Sequence, residues 1–257
     1  MWNKELEIAR LATRAAGKIL SRTFGHVKHI KKKGNIDLVT EADLEAEKII
    51  LKTIHRDFPK DSILSEESGM QRQTSGRTWI VDPLDGTTNF AHGFPFFGVS
   101  IALEIEKGIV LGIVYNPHMD EYYEAIRGRG ALLNNRPIHV SKTSNLNESL
   151  LATGFPYNIH EKSQKVIELF GKMIVRAQGI RRPGSAAIDL CYVAAGRLDG
   201  FWEQDLNPWD TAAGIVIVEE AGGKLTTFEG KPYSPYQKTI VAANPFILGE
   251  MLKVLSS

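Results

Sequence analysis

The chain has one cysteine in 257 residues, so no disulfide can join two parts of it and folding must rest on the core. A chain this long buries enough apolar surface to need no such staple. The lone Cys191 lies in Leu190-Cys191-Tyr192-Val193-Ala194, an apolar run that marks a core thiol rather than a nucleophile. An excess of one charge is equally absent: 31 basic residues meet 30 acidic ones, for a formal net charge of +1. That balance lacks the basic footprint of a nucleic-acid binder and argues against such a partner. No apolar run reaches the roughly 18 residues that a membrane span requires. The opening Met1-Trp2-Asn3-Lys4-Glu5-Leu6-Glu7 carries acids early and lacks the apolar core of a signal peptide, which makes a cytoplasmic protein the expectation. Repeats, low-complexity tracts and long Pro-, Gly- or Ser-rich linkers are missing too, so nothing separates independent domains. What remains is an ordinary globular balance, 43% hydrophobic and 24% charged.

Periodicity supplies the organisation. Residues 4–22 place Leu6, Ala9, Leu11, Ala12, Ala15, Ile19 and Leu20 on one helical stripe, and a second helix follows Thr40 with Leu44, Ile49, Ile50 and Ile54 as its apolar face. The polar stretch from Gly25 to Asn35 reads as an exposed loop. Strands are expected at 79–81, 99–103 and 109–114, the last two joined by a turn at Glu106-Lys107-Gly108. Residues 120–125 and 130–133 extend the antiparallel sheet. From about residue 149 the pattern changes to strand–helix alternation, with helices near 161–176, 186–195 and 209–221 and one from Pro245. A mixed α/β (α+β) body in two halves, 1–147 and 148–257, packed as one compact unit, is therefore expected.

The segment richest in chemistry is Trp79-Ile80-Val81-Asp82-Pro83-Leu84-Asp85-Gly86-Thr87-Thr88-Asn89. An apolar strand delivers two carboxylates into a turn stiffened by Pro83. Gly86 then permits close backbone approach, and Thr87, Thr88 and Asn89 suit the start of a short helix. Carboxylates with a backbone carbonyl are the hard oxygen ligands that Mg²⁺ selects, and free N–H groups at a helix start cradle phosphate. Asp85-Gly86 alone would be an ordinary turn. The whole string at a strand end is more than that.

This string resembles the signature of the inositol monophosphatase family of metal-dependent sugar phosphatases. Three further segments follow that family's order: Asp37-Leu38-Val39-Thr40-Glu41-Ala42-Asp43, Ser65-Glu66-Glu67-Ser68, and Trp209-Asp210-Thr211-Ala212-Ala213-Gly214 with Glu220-Ala221-Gly222-Gly223. The resemblance implies the layered αβαβα sugar-phosphatase fold, with an antiparallel N-terminal half and an α/β C-terminal half. It implies two or three Mg²⁺ ions per site, held by Glu66, Asp82, Asp85, the Leu84 carbonyl and Asp210. One ion would lower the pKa of the attacking water and another would stabilise the leaving oxygen. Asp43, paired with the Thr87 hydroxyl, would orient and deprotonate that water, with Glu66 completing the catalytic group. Substrate contacts are implied for Asp85, Gly86, Thr87, Thr88, Gly184, Ser185, Ala186, Glu203 and Asp210. Lys32 would lie near the site, and Arg182 could add charge for a second phosphate. A homodimer and inhibition by Li⁺ are implied as well.

Each assignment has a plainer alternative. Glu66 can be a surface charge beside Glu67. Asp43 can close a capping box on Thr40, Asp210 can sit third in a helix capped by Asn207 with Pro208 first, and Ser185 can be only an N-cap. Lys31-Lys32-Lys33 can be a solvated run, and His26 and His29 read as surface residues. The leading substrate is inositol monophosphate. Fructose 1,6-bisphosphate and 3′-phosphoadenosine 5′-phosphate are the enzymatic rivals, and a regulator that binds RNA or protein on a phosphatase scaffold is the non-enzymatic one.

Overall fold

The computed structural model describes residues 2–26, 30–32, 38–156 and 159–256, without the side chains of 30–32, 38 and 162. Helix α1 (Asn3–Thr23) buries one side, with Ile8, Ala9, Ala12, Ala16 and Leu20, while Leu11, expected on that stripe, is exposed because it stands next to Ala12 and neighbours on a helix face different ways. Two short strands follow, β1 (Ile30–Lys32) and β2 (Leu38–Thr40), paired antiparallel from Ile30↔Thr40 to Lys32↔Leu38. This corrects the loop expected over Gly25–Asn35. Three residues carry no readable period, and the strand exists through its partner. Residues 27–29 and 33–37 of that region lie outside those described. Helix α2 (Glu41–Asp57) starts at the Thr40 cap and buries Ala42, Ala46, Ile50 and Ile54 at four-residue spacing, whereas Leu44, expected on the apolar face, lies two residues off that row and is exposed.

An eight-stranded sheet comes next: β3 (Ser62–Ser65), β4 (Gly69–Gln71), β5 (Arg77–Asp85), β6 (Gly98–Ile105), β7 (Gly108–Asn116), β8 (Glu121–Ile126), β9 (Ala131–Leu133) and β10 (Arg136–Ile138). The order is β10-β9-β8-β7-β6-β5-β3-β4, antiparallel except for β3 beside β5. The one-turn helix α3 (Thr87–Ala91) interrupts it after β5. Strand period decides the faces. Trp79, Val81, Val99, Ile101, Leu111 and Ile113 join α1 and α2 in one buried cluster, and Ile80, Ala102 and Val114 point into another.

That second cluster is filled by α5 (Ala186–Ala194) and α6 (Pro208–Glu220), which lie between this sheet and a five-stranded one. The second sheet holds β11 (Leu150–Thr153), β12 (Gly179–Arg181), β13 (Gly200–Gln204), β14 (Lys224–Thr226) and β15 (Thr239–Ala243), in the order β12-β11-β13-β15-β14. Strands β12, β11 and β13 run parallel, and β15 and β14 pair antiparallel. Phe201 and Ala242 face inward, while Trp202 and Val241 face the outer layer of α4 (Ile159–Ile174) and α7 (Leu248–Leu255). The result is five layers, αβαβα, as the resemblance implies. Helix α6 is apolar on all sides because it is covered on all sides, with Thr211 to Val218 buried. It approaches β7 so closely that a Cβ on Gly112 would stand 2.5 Å from the Ala213 carbonyl oxygen.

Candidate metal centre and its cavity

The site begins with a break in β5. Asp82 pairs with Ser100 and Asp85 with Gly98, so β5 carries one residue more than β6 over that interval. Pro83 has no N–H to give the ladder, and a bulge absorbs the extra residue. In a regular strand, residues three apart would point to opposite faces. Here the Asp82 and Asp85 carboxylates meet, and with Asp210 they place three oxygens within 4.8 Å of one another. Asp210 arrives from the first turn of α6, which Asn207 caps and Pro208 opens, and its Oδ2 accepts the Asn207 N–H at 2.7 Å. Cap and cluster member are one residue, so the two readings of Asp210 coexist.

Burial gives the cluster its electrostatic character. Burial first, then the charges of Glu66, Asp85 and Asp210, hold the Asp82 carboxyl well above the usual carboxylate range. Burial raises Asp85 to about 6 despite hydrogen bonds from Ser185 Oγ at 2.5 Å and Ala187 N–H at 2.8 Å. Burial and then the Asp85 charge push Asp210 well up, with the Asn207 amide opposing. Three oxygen donors that repel one another, Asp82 buried and Asp85 and Asp210 half-buried, fit a hard divalent cation, which removes the repulsion and takes carboxylate oxygens as ligands. Glu66 follows β3 and donates its N–H to the Val81 carbonyl at 3.2 Å. Its carboxylate stands outside the group of three, although its charge reaches Asp82 and Asp210.

Gly86 follows Asp85 at φ 89°, a left-handed conformation, and caps α3. Thr87, next in line, points its hydroxyl at two acceptors, Asp43 Oδ1 and the Leu84 carbonyl oxygen, each at 3.0 Å. Asp43 comes from the first turn of α2, where its Oδ2 accepts both the Thr40 N–H at 2.8 Å and the Thr40 hydroxyl at 2.5 Å. The capping box and the contact with Thr87 are thus one network. Burial raises the Asp43 carboxyl above its ordinary value, with the Thr40 and Thr87 bonds opposing.

A cavity of about 200 Å³ opens onto these groups. Of the residues singled out for substrate, Asp85, Gly86, Thr87, Thr88, Gly184, Ser185, Ala186, Glu203, Asp210 and Arg182 all line it. Ser185 does cap α5, accepting the Ile188 N–H at 3.4 Å, but its hydroxyl proton is given to Asp85. The start of α5 is therefore partly occupied by the protein's own carboxylate. Glu203, at the end of β13, is raised to about 8 by burial, with Arg182 opposing. The side chain of Lys32 lies outside the described residues. His26 is exposed, as read, while His29 is not described.

Several lining residues escape the sequence reading, Phe155 and Asp189 among them. Phe155 stacks under the Arg182 guanidinium at 5.5 Å, and Asp189 is a lone acid on the apolar helix α5. A single charge in an otherwise apolar helix is a signal, because an unpaired buried carboxylate is rarely kept without a use. Asn89 belongs to the quoted string, yet its role is visible only in three dimensions. Its Nδ2 meets the carbonyl oxygens of Phe96 at 2.6 Å and Pro183 at 2.8 Å, tying α3 to the loop before α5.

Five alternating layers, with a carboxylate cluster where the helices between the two sheets begin, set the chain in the class of layered αβαβα phosphatases. Residues 1–256 match the model of the Inositol monophosphatase family, and the chain belongs to that family, whose members are phosphatases and generally depend on metal. An inositol-1-monophosphatase of Synechocystis sp. is 48% identical, over 98% of this chain and 88% of that protein. The protein named Nus factor SuhB in Escherichia coli strain K12 is 41% identical, over 96% and 94% of the two chains. Among solved structures, the extragenic suppressor protein suhB from Bartonella henselae gives a TM-score of 0.96 at 43% identity, covering 99% of each chain. The inositol monophosphatase from Anabaena (Nostoc) sp. gives 0.90 at 42%, covering 98% and 95%. No described helix is long and apolar enough to cross a membrane.

Proposed function

We propose that the protein hydrolyses a small phosphorylated polyol, with inositol monophosphate the leading substrate, in a reaction that depends on Mg²⁺. One observation carries this reading. A single cavity joins the Asp82–Asp85–Asp210 cluster and Thr87 to a second wall of polar groups suited to hydroxyls, Glu203 among them. Asp82, Asp85, Asp210, the Leu84 carbonyl and Glu66 would hold the metal. When bound, Mg²⁺ supplies charge that activates a water and neutralises the phosphate ester.

The chain's own residues do the rest. The Thr87 hydroxyl has one proton and two acceptors. Given to Asp43 Oδ1, that proton leaves a lone pair on Thr87 Oγ1 to accept a hydrogen bond from water and orient it. As the water oxygen attacks phosphorus in line, its proton passes through Thr87 Oγ1 to Asp43 Oδ1, the ester P–O bond opposite breaks, and the departing polyol oxygen takes a proton from solvent. Thr40 anchors the other Asp43 oxygen, so the base cannot swing away. The scheme involves no covalent phosphoenzyme.

The test is phosphate release from myo-inositol 1-phosphate, fructose 1,6-bisphosphate and 3′-phosphoadenosine 5′-phosphate, with Mg²⁺ and with EDTA. The expected result is metal-dependent turnover led by the inositol ester, reduced at least about 100-fold in Asp85→Asn. A lead for another ester moves the substrate, and no turnover from folded protein on any of them removes the hydrolytic reading. Relatives named Nus factor SuhB favour a second role with a macromolecular partner, in place of or beside catalysis. That role would survive Asp85→Asn, whereas hydrolysis would not.

A further inference from the structure

The cavity holds two buried carboxylates that stand outside the metal cluster, Glu203 and Asp189. Gly154 makes the room for Glu203, since a methyl group there would overlap both Glu203 oxygens. Asp189 is 1% exposed, and its Oδ1 is sealed from solvent with no hydrogen-bond partner among the described residues. Its neighbours on α5 are Ala, Ile, Leu and Cys. An acid kept in such a place without a donor is destabilising, and a donor from outside the chain would relieve it. Among the described residues, the one cation of the cavity wall is Arg182, stacked on Phe155, and no described hydrogen bond joins it to either acid. Its charge favours the ionised form of both.

A second phosphate on the substrate would therefore meet, among the described residues, two acids against a single guanidinium. Even with one proton shared between the acids, the remaining charge cancels Arg182. A neutral diol instead offers O–H donors, which is what two carboxylates short of partners can accept. We infer that Asp189 is a further specificity residue: beside Glu203 it accepts a hydrogen bond from a substrate hydroxyl and disfavours a second phosphate at this end of the cavity. This rests on the hydrolytic reading above and names a specificity residue of the same site.

The test compares wild type with Asp189→Asn and Asp189→Ser, Mg²⁺ present. One arm measures kcat and KM on myo-inositol 1-phosphate and fructose 1,6-bisphosphate. The other measures the affinity of free myo-inositol by calorimetry. In Asp189→Asn, KM for the inositol ester should rise about tenfold with kcat nearly kept, as expected when an uncharged acceptor replaces a carboxylate. The preference for inositol ester over bisphosphate should fall by more than that, because the repulsion of the second phosphate also weakens. The affinity for free myo-inositol should drop about tenfold. Unchanged preference and unchanged myo-inositol affinity in a folded variant, judged by melting, would overturn the inference. If wild type releases phosphate from neither ester, the hydrolytic reading fails, and the myo-inositol arm still decides for or against Asp189. If Asp189→Asn does not fold, Asp189→Ser decides. If neither folds, Gly154→Ala, which displaces Glu203, must show the same loss of preference and of myo-inositol affinity, or the inference falls.

Discussion

Thr87 illustrates how much chemistry one hydroxyl can carry when its surroundings leave it few choices. Its oxygen is buried between Asp43 Oδ1 and the Leu84 carbonyl oxygen, 3.0 Å from each. A valine of nearly the same shape would keep the packing and remove both the donor and the lone pairs. In Thr87→Val, kcat should fall by about 100-fold or more, the usual range for losing a positioned proton-transfer group, while KM changes little. Thr87→Ser restores the hydroxyl and should recover most of the rate. Steady-state kinetics on the best ester checks this, and a rate in Thr87→Val within a few-fold of wild type would remove Thr87 from the proton path.

At the scale of elements, the site depends on a junction rather than on any one strand or helix. The start of α3, the approach to β6 and the loop before α5 come together at backbone contact distance. A Cβ on Gly86 would lie 2.9 Å from the Phe96 carbonyl oxygen, and Gly86 already holds φ 89°. Asn89 clips this junction through two carbonyls from different parts of the chain. Asn89→Ala would leave both acceptors without that donor, a loss of about 1–3 kcal/mol when such groups are buried. The melting temperature should fall by roughly 2–10 °C in consequence. Activity should fall further than stability alone explains, because Ser185 and the Ala187 N–H that hold Asp85 lie just beyond the loop. Calorimetric melting with Mg²⁺ present, set beside kcat, separates the two effects.

That junction also shows why part of the architecture is legible in the sequence and part is not. Helices α1, α2 and α6 and strands β5 to β7 are long enough to express a period or a cap, and the Asp82–Asn89 string announces its turn through Pro and Gly. The short strands β1, β3, β4 and β10 have three or four residues each, too few to express a period, and exist through pairing with β2, β5, β3 and β9. No local pattern marks them, so the placement of Glu66 after β3 appears only once β3 is seen beside β5. Asp189 was hidden for the opposite reason: the apolar run around it is so clear a core helix that the acid reads as an exception to it. The gathering of Asp210 with Asp82 and Asp85 is what the family resemblance implies, whereas the bulge that turns Asp82 and Asp85 the same way follows from sheet pairing.

At the scale of the whole molecule, folding forces a set of acids together before any cation is considered, and stability should record it. Asp82, Asp85, Asp210, Asp189 and Glu203 are all held above their ordinary values by burial, Asp85 at about 6 and Glu203 at about 8. A carboxyl raised on folding binds its proton more tightly in the folded chain than in the unfolded one. The stability it contributes is present below the unfolded value, near 4, and is lost as pH rises through the folded one. In EDTA, the melting temperature should therefore fall between pH 5 and pH 8, by about 5 °C or more given the usual slope for a chain of this size. Glu203→Gln should flatten the upper part of that fall, since its carboxyl titrates nearest pH 8. Mg²⁺ should oppose the loss most at pH 8, where the ligands are ionised, and least at pH 5, where protons compete for the same oxygens. Scanning fluorimetry across this range, with and without Mg²⁺, reads all three effects at once. A melting temperature in EDTA that is flat or rises toward pH 8 would mean that the acids are already compensated within the chain. It would remove the physical argument that their cluster is built to receive a cation.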